Sequence, residues 1–353
     1  MMNKASFKKD LVNYITYAFV IVAFVVLQLL ANGGGLSSTL KGQLIPICAY
    51  VTMALSLNLT VGVLGELSLG HAGFMSVGAF GGAVMSAVLQ NTVTNGALRL
   101  VIAMLVGAIL AAIAGFLIGI PVLRLNGDYL AITTLAFGEI IKSIVNNLYI
   151  GMDVKGLHFS FANNTIQLGE GGKMILSGPM GVQGVKKIST FAAGFVLIMV
   201  SLFIIFNLVK SRSGRAIMAL RDNRIAAESV GISPTKFKMI AFVISAAMAG
   251  AAGSLFALGQ TTVQASKFDF NASILILVFV VLGGQGRMLG SIIAASALTV
   301  LPELLRQFQT YRMLVYAIVL ILVMLATNSS KLRGVFQLKL RHSQSSPTEG
   351  GNI

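Results

Sequence analysis

Tryptophan is absent from this chain of 353 residues, and it holds one cysteine, six prolines and three histidines. Acid is scarce as well: 11 Asp and Glu stand against 26 Lys and Arg, and charged residues make up only 10% of the total. Soluble domains carry about 25% charged residues, so there is too little charge here to cover a water-solvated globule of this size. The single Cys48 cannot form an intramolecular disulfide and, in an apolar run, reads as a packing residue. With His71, His158 and His342 as the only imidazoles, metal catalysis is not expected. No Gly-x-x-x-x-Gly-Lys-[Ser/Thr] loop is present to cradle nucleotide phosphates.

What the chain does have is apolar sequence, at 56% hydrophobic residues and a mean hydropathy of +0.87. A helix crosses about 30 Å of hydrocarbon in roughly 20 residues. Runs suited to that are Leu11–Leu30, Leu44–Val61, Leu67–Leu89, Leu100–Val122, Tyr129–Ile150, Thr190–Val209 and Met239–Leu258. Ala272–Gly284 is apolar but short; Met288–Leu305, with Pro302 and Glu303, and Met313–Thr327 follow. The first run has the Lys8-Lys9 flank of a signal peptide but is long for one and lacks a small-residue cleavage site, so it is expected to be a retained helix. The expected fold is an all-α polytopic membrane protein of about ten transmembrane or partly spanning helices.

A net charge of +15 would suggest nucleic acid in a soluble protein; in a membrane protein it tests orientation instead. With the N-terminus inside, sixteen Lys and Arg fall in inside segments and nine in outside ones. That bias predicts both termini in the cytoplasm. It also makes 1–330 one transmembrane domain, with an extracytoplasmic loop over 151–189, a cytoplasmic loop over 210–238 and a basic, disordered tail over 331–353. Tyr14, Tyr17, Tyr129, Tyr149, Tyr311 and Tyr316 fall near span ends, where tyrosine sits well at the headgroup level.

Glycine punctuates two matching regions, Gly62 to Phe74 through Gly65, Gly70 and Gly73, and Leu282 to Gly290 through Gly283, Gly284 and Gly286. Short, glycine-interrupted segments in two halves point to discontinuous helices beside a transport pathway. Close packing of helices through small residues accounts for the same pattern, and spacing alone does not separate the two. Glu139 and Lys142 stand one helical turn apart within a span, which suits an ion pair or a place on a substrate path. Asp128 reads as a helix N-cap. Ser68 and His71 share a helical face, which would suit a nucleophile and base, but no carboxylate beyond Glu66 is near to orient the ring, and a hydrogen-bonded structural histidine is the preferred reading.

The densest charge lies between the sixth and seventh spans. Arg215 to Val230 has helical composition; Gly231 suits a C-terminal stop and Ser233-Pro234 a turn into the next helix. So short a helix cannot bury Ile217, Leu220 and Ile225 in a core of its own, and an amphipathic helix of this kind docks either into a partner's groove or onto anionic lipid.

Four stretches together carry a resemblance: Leu67 to Phe74, Leu125 to Ile140, Ser177 to Val182, and Ser213 to Pro234 continuing through Lys238 to Gly253. They are similar, in this order, to LivM-type permease subunits of branched-chain amino-acid ABC importers, over roughly Leu44 to Leu325. Arg224 departs from that pattern, where an acidic residue is expected. The resemblance implies a LivH-like second permease subunit, two cytoplasmic ABC ATPases that bind the ATP, an extracytoplasmic substrate-binding protein, a bacterial inner membrane, and neither a catalytic site nor a cofactor of the chain's own. It implies ATPase coupling through Arg215, Ala219, Arg221, Asp222, Asn223, Ala227, Glu228 and Gly231. The translocation pathway is expected at Gly70, His71, Gly73, Phe74, Thr133, Thr134, Glu139, Gly283 and Gly284. Two other classes stay open: an ion-coupled secondary transporter with Glu139 carrying the proton, and an intramembrane enzyme using Ser68 and His71.

Overall fold

The apolar runs become helices whose ends are set by short polar residues. In the computed structural model, Ser37 caps α2 (Ser38–Asn58), Asn95 caps α4 (Gly96–Val122) and Thr190 caps α6 (Phe191–Lys210), each side chain accepting from a backbone N–H of the first turn. Residues 4–305 are described except 36, 126, 154–155, 163–165, 167–171 and 185, together with 311, 314, 317, 318 and 321; side chains are described from residue 13. The run Met313–Thr327 lies largely outside that set, and the tail 331–353 entirely. Contacts divide the chain into two units, Met1–Val300 and Leu301–Ile353. The first holds both glycine-rich regions and the charged segment between the sixth and seventh spans.

The remaining helices are α1 (Lys4–Asn32), α3 (His71–Val88), α5 (Asp128–Asn146), α7 (Arg212–Asp222), α8 (Arg224–Ser229), α9 (Pro234–Ala257), α10 (Phe270–Gly283) and α11 (Met288–Leu304). Among the described residues six spans are long and apolar enough to cross a membrane: Asn13–Asn32, Ser38–Leu64, His71–Val88, Gly96–Val122, Phe191–Lys210 and Pro234–Ala257. Helices α10 and α11 are apolar but shorter. The expected count of about ten transmembrane or partly spanning helices included α10, α11 and the run Met313–Thr327, which lies largely outside the described residues, so six spans do not confirm it. The fifth run ends early: α5 carries Asp128, Glu139 and Lys142, stops at Asn146, and the chain continues as a strand from Leu148.

Helices α2 and α9 form the centre. Along α9, Ala246, Ala249, Gly250, Gly253 and Ser254 are buried, opposite Ala103, Gly107, Ala111 and Gly115 of α4. These spacings of three and four residues line up small side chains on one face and let backbones approach closely. Ser254 donates to the Gly78 carbonyl of α3 at 2.8 Å. The opposite face of α4 exposes Leu105, Ile109, Ile113, Phe116 and Ile120, a purely apolar surface suited to lipid.

Much of the described part of the segment expected as an extracytoplasmic loop is a sheet. Strands β1 (Leu148–Asp153), β2 (Gly156–Phe161), β3 (Lys173–Ser177), β4 (Val182–Gln183) and β5 (Thr262–Val263) pair antiparallel in the order β2-β1-β3-β4-β5. Strand β5 comes from the α9–α10 connection, so the sheet ties that connection to the loop. Gly178–Met180 form a tight turn between β3 and β4, and Gly181 at φ +70° lies so close to the Val263 carbonyl that a methyl group would overlap it.

Candidate translocation pathway and coupling surface

The first glycine-rich region is a break in a helix. Helix α2 widens into π-turns over Leu59–Leu64 and stops at Gly65, φ +82°. Wide turns of this kind are frequent at functional sites. The chain then runs unwound to Gly70 before α3 begins. His71, in the first turn of α3, is 1% exposed; its Nε2 lies 2.6 Å from Ser56 Oγ, two turns back along α2. The unwound stretch therefore doubles back along the helix it has just left.

The second region meets the first. Asn58, fully buried, accepts from the Gly286 N–H at 2.7 Å and donates to Ser291 Oγ at 2.8 Å and the Arg287 carbonyl at 3.3 Å. Gly284 and Gly286 have φ of +90° and +79° in the turn from α10 to α11. A Cβ on Gly62 would overlap both Asn58 and the Gly286 backbone. One buried amide thus joins the two breaks by side-chain bonds, which satisfy unwound backbone inside an apolar core.

Around these breaks the expected pathway residues divide. Gly70 and Gly73 press against α5 at Thr134 and Gly138, where a methyl on Gly73 would stand 3.0 Å from Gly138 Cα. Thr134 Oγ1 accepts from the Leu69 N–H at 3.0 Å. Thr133 lies on another face and donates to its own helix at the Tyr129 carbonyl. Phe74 is buried edge-on to Phe242, and Gly283 packs on Gly290. Glu139 uses both oxygens: Oε2 pairs with Lys142 at 2.8 Å and Oε1 accepts from the Phe270 N–H at 3.2 Å. It therefore sits against the start of α10, whose N-cap is Asp269.

Two smaller expectations change. Asp128 does not cap α5; Gly127, at φ +59°, holds the cap position, and Asp128 lies in the first turn, where its charge suits the helix dipole. His71 bonds Ser56 instead of Ser68, and Ser68 Oγ has no partner among the described residues, so the nucleophile–base pair of an intramembrane enzyme is not formed there. Among the described residues no group of three or more His, Cys, Asp or Glu could hold a metal ion.

Below the breaks lies the charged segment. It is two helices, because Asn223 turns extended at φ −155° and caps α8 by accepting from the Ala226 N–H at 3.0 Å. Gly231, at φ +83°, ends α8: its N–H donates to the Glu228 carbonyl and that of Ile232 to the Ala227 carbonyl, the paired bonds of a Schellman stop. Ile217, Leu220 and Ala227 are buried against the subunit, whereas Ile225 is 81% and Val230 74% exposed. Ala219 passes its carbonyl to the Asn223 N–H. Arg215 donates to the Lys210 carbonyl, Arg221 pairs with Asp222, and Arg224 pairs with Glu228 at 2.7 Å within α8.

Arg221 also reaches upward. Its Nη1 donates to the Gly62 carbonyl at 3.0 Å, inside the π-turns, and its stem covers Gly65. Glu66, in the unwound stretch, forms an ion pair with Lys238 of α9, whose side chain is 5% exposed. The break is thus bonded to the charged segment by Arg221 and to α9 by Lys238. Neither link was foreseen from the sequence, where Arg221 is expected to serve ATPase coupling and Lys238 counts only toward the basic loop.

Several membrane-length helices around unwound, glycine-rich backbone that protein groups satisfy make this a polytopic helical membrane protein of the transporter type. Residues 40–324 match the family described as branched-chain amino acid transport system / permease component, and the chain belongs to that family. The high-affinity branched-chain amino acid transport system permease protein LivM of Salmonella typhimurium is 38% identical over 289 residues, 78% of this chain and 66% of that protein. LivM of Escherichia coli K12 is 38% identical over 291 residues with the same coverage. The probable permease protein LivH of Methanocaldococcus jannaschii is 25% identical over 298 residues, covering 80% and 85%. The chain spans 66% of the length of the two LivM proteins. No solved structure matches it.

Proposed function

We propose that this chain is the transmembrane permease subunit of an ATP-driven importer that moves branched-chain or related amino acids across a bacterial inner membrane. A LivH-like second permease subunit would complete the conduit. An extracytoplasmic binding protein would deliver substrate, and two cytoplasmic ATPases, holding the ATP, would drive the cycle. The chain itself carries no catalytic step.

One observation carries the reading. The segment α7–α8 holds Ile217 and Leu220 inward, leaves Ile225 and Val230 bare, and is hydrogen-bonded through Arg221 to the unwound end of α2. An exposed apolar pair on a short helix fits a groove in a partner. Displacing that helix would pull on the Gly62 carbonyl, and Asn58 would carry the shift to the α10–α11 turn. The conduit itself would lie along α5 and α10. There Ile132, Ile140 and Ile144 are exposed beside the half-buried Thr133 and Glu139, a mixed surface that suits water or a partner subunit better than lipid.

The test is assembly and uptake in proteoliposomes. Ile225→Asp with Val230→Asp should abolish co-purification of the ATPase while leaving the subunit folded. Full ATPase assembly and uptake by that variant would overturn the reading. So would uptake by the isolated chain driven by a pH gradient, which is the behaviour of a secondary transporter. Glu139, held by both Lys142 and the α10 start, does not favour that alternative.

A further inference from the structure

A cavity of about 650 Å³ opens between the end of α3, the start of α4 and strands β1, β3 and β4, remote from the charged α7–α8 segment along the chain. Ligand pockets fall in this size range. Arg99 lines it, one turn into α4, and is only 5% exposed. Its Nε has no hydrogen-bond partner, and it makes no ion pair among the described residues. Guanidinium cannot shed its proton in a protein, so burial leaves a positive charge at the cavity that no ion pair among the described residues neutralises. Lys173 and Lys186 add two cations to the lining and Asp153 one carboxylate, while Met174 and Ile175 supply apolar surface.

We infer that this cavity is a binding site for the carboxylate of an aliphatic α-amino acid. A planar fork of N–H donors matches a carboxylate in two parallel bonds. The surplus of positive charge attracts the anion, and the methionine and isoleucine side chains receive an aliphatic tail. The proposal rests on the importer reading for the ligand's amino-acid identity and deepens it by giving the subunit a substrate station of its own on the sheet side. The paired bonds to the anion rest on Arg99, and Lys173 and Lys186 add attraction only.

The reporter is Asn91→Cys, at an exposed position on the lining; the native Cys48 is buried and stays silent. Labelling of the full chain in membranes by a water-soluble thiol reagent should slow saturably with L-leucine and stay unchanged with L-leucinamide, which lacks the carboxylate. Arg99→Gln should raise the half-protecting leucine concentration about tenfold or more, as loss of one charge-assisted pair requires. Lys186→Gln, at an exposed position, should raise it less and guards against a folding defect in the first variant. Equal protection by leucinamide, protection by inorganic phosphate in place of leucine, or none by leucine would overturn the site. Uptake by the assembled Asn91→Cys transporter reads the other question: ATP-driven uptake without protection removes the pocket alone, whereas protection with no ATP-driven uptake removes the importer reading alone.

Discussion

Lys238 and Glu66 are both poor candidates for burial, yet their side chains are 5% and 15% exposed. Removing one partner of such a pair strands the other charge, at about 3–5 kcal/mol, whereas an apolar pair of similar volume is often neutral. Glu66→Gln should therefore lower thermal stability in detergent by that order. Adding Lys238→Met should recover most of the loss, and a double-mutant cycle would read the coupling. Arg221→Lys keeps the charge but loses the fork that reaches the Gly62 carbonyl. Since Ile225 and Val230 remain available, ATPase should still co-purify while uptake falls. Equal loss of both would mean that Arg221 acts on assembly. Glu139→Gln retains an oxygen for the Phe270 N–H and gives up only the Lys142 pair. Uptake should fall modestly with an unchanged pH profile; a proton carrier at this position would lose the profile altogether.

The elements differ in how far their residues announce them. Gly231 and Ser233-Pro234 mark their ends correctly because caps are local: a left-handed residue and a proline at a first turn act within four residues. Gly231→Ala should strain the α8 stop at φ +83°, by about 1 kcal/mol, and reduce uptake more than it reduces folding, measured by transport beside thermal unfolding. The split at Asn223 was hidden by the alanine-rich sequence on either side, although the signal was there: an asparagine whose side chain competes for nearby N–H groups. Asn58 gave no such signal. Its partner Gly286 is 228 residues away, and a polar residue at the end of an apolar run reads as an ordinary helix terminus. The β-strands were equally opaque. Strands of two to six residues among glycines look like loop, and β5 joins the sheet from the far side of four helices.

At the scale of the whole molecule, composition alone placed the chain in a membrane, because 10% charge cannot solvate 353 residues. Orientation rests on the asymmetry of Lys and Arg, which acts through short flanking loops. The fold adds a geometric condition to it. The segment α7–α8 lies between α6 and α9, and the strands β1–β4 lie between α5 and α6. A single crossing by α6 must therefore put them on opposite faces. Ile225 is 81% exposed at the first site and Lys187 is exposed at the second, so a cysteine at either is open to a reagent, whereas Cys48 is buried. An impermeant maleimide should label the Lys187→Cys protein in right-side-out vesicles and the Ile225→Cys protein only after inversion or permeabilisation. The reverse pattern would place the proposed ATPase handle outside the cell, beyond reach of any cytoplasmic motor. Labelling of both from one side would mean that α6 does not cross, and the connection from α7–α8 through Arg221 to the break would then lie on the same face as the Arg99 cavity.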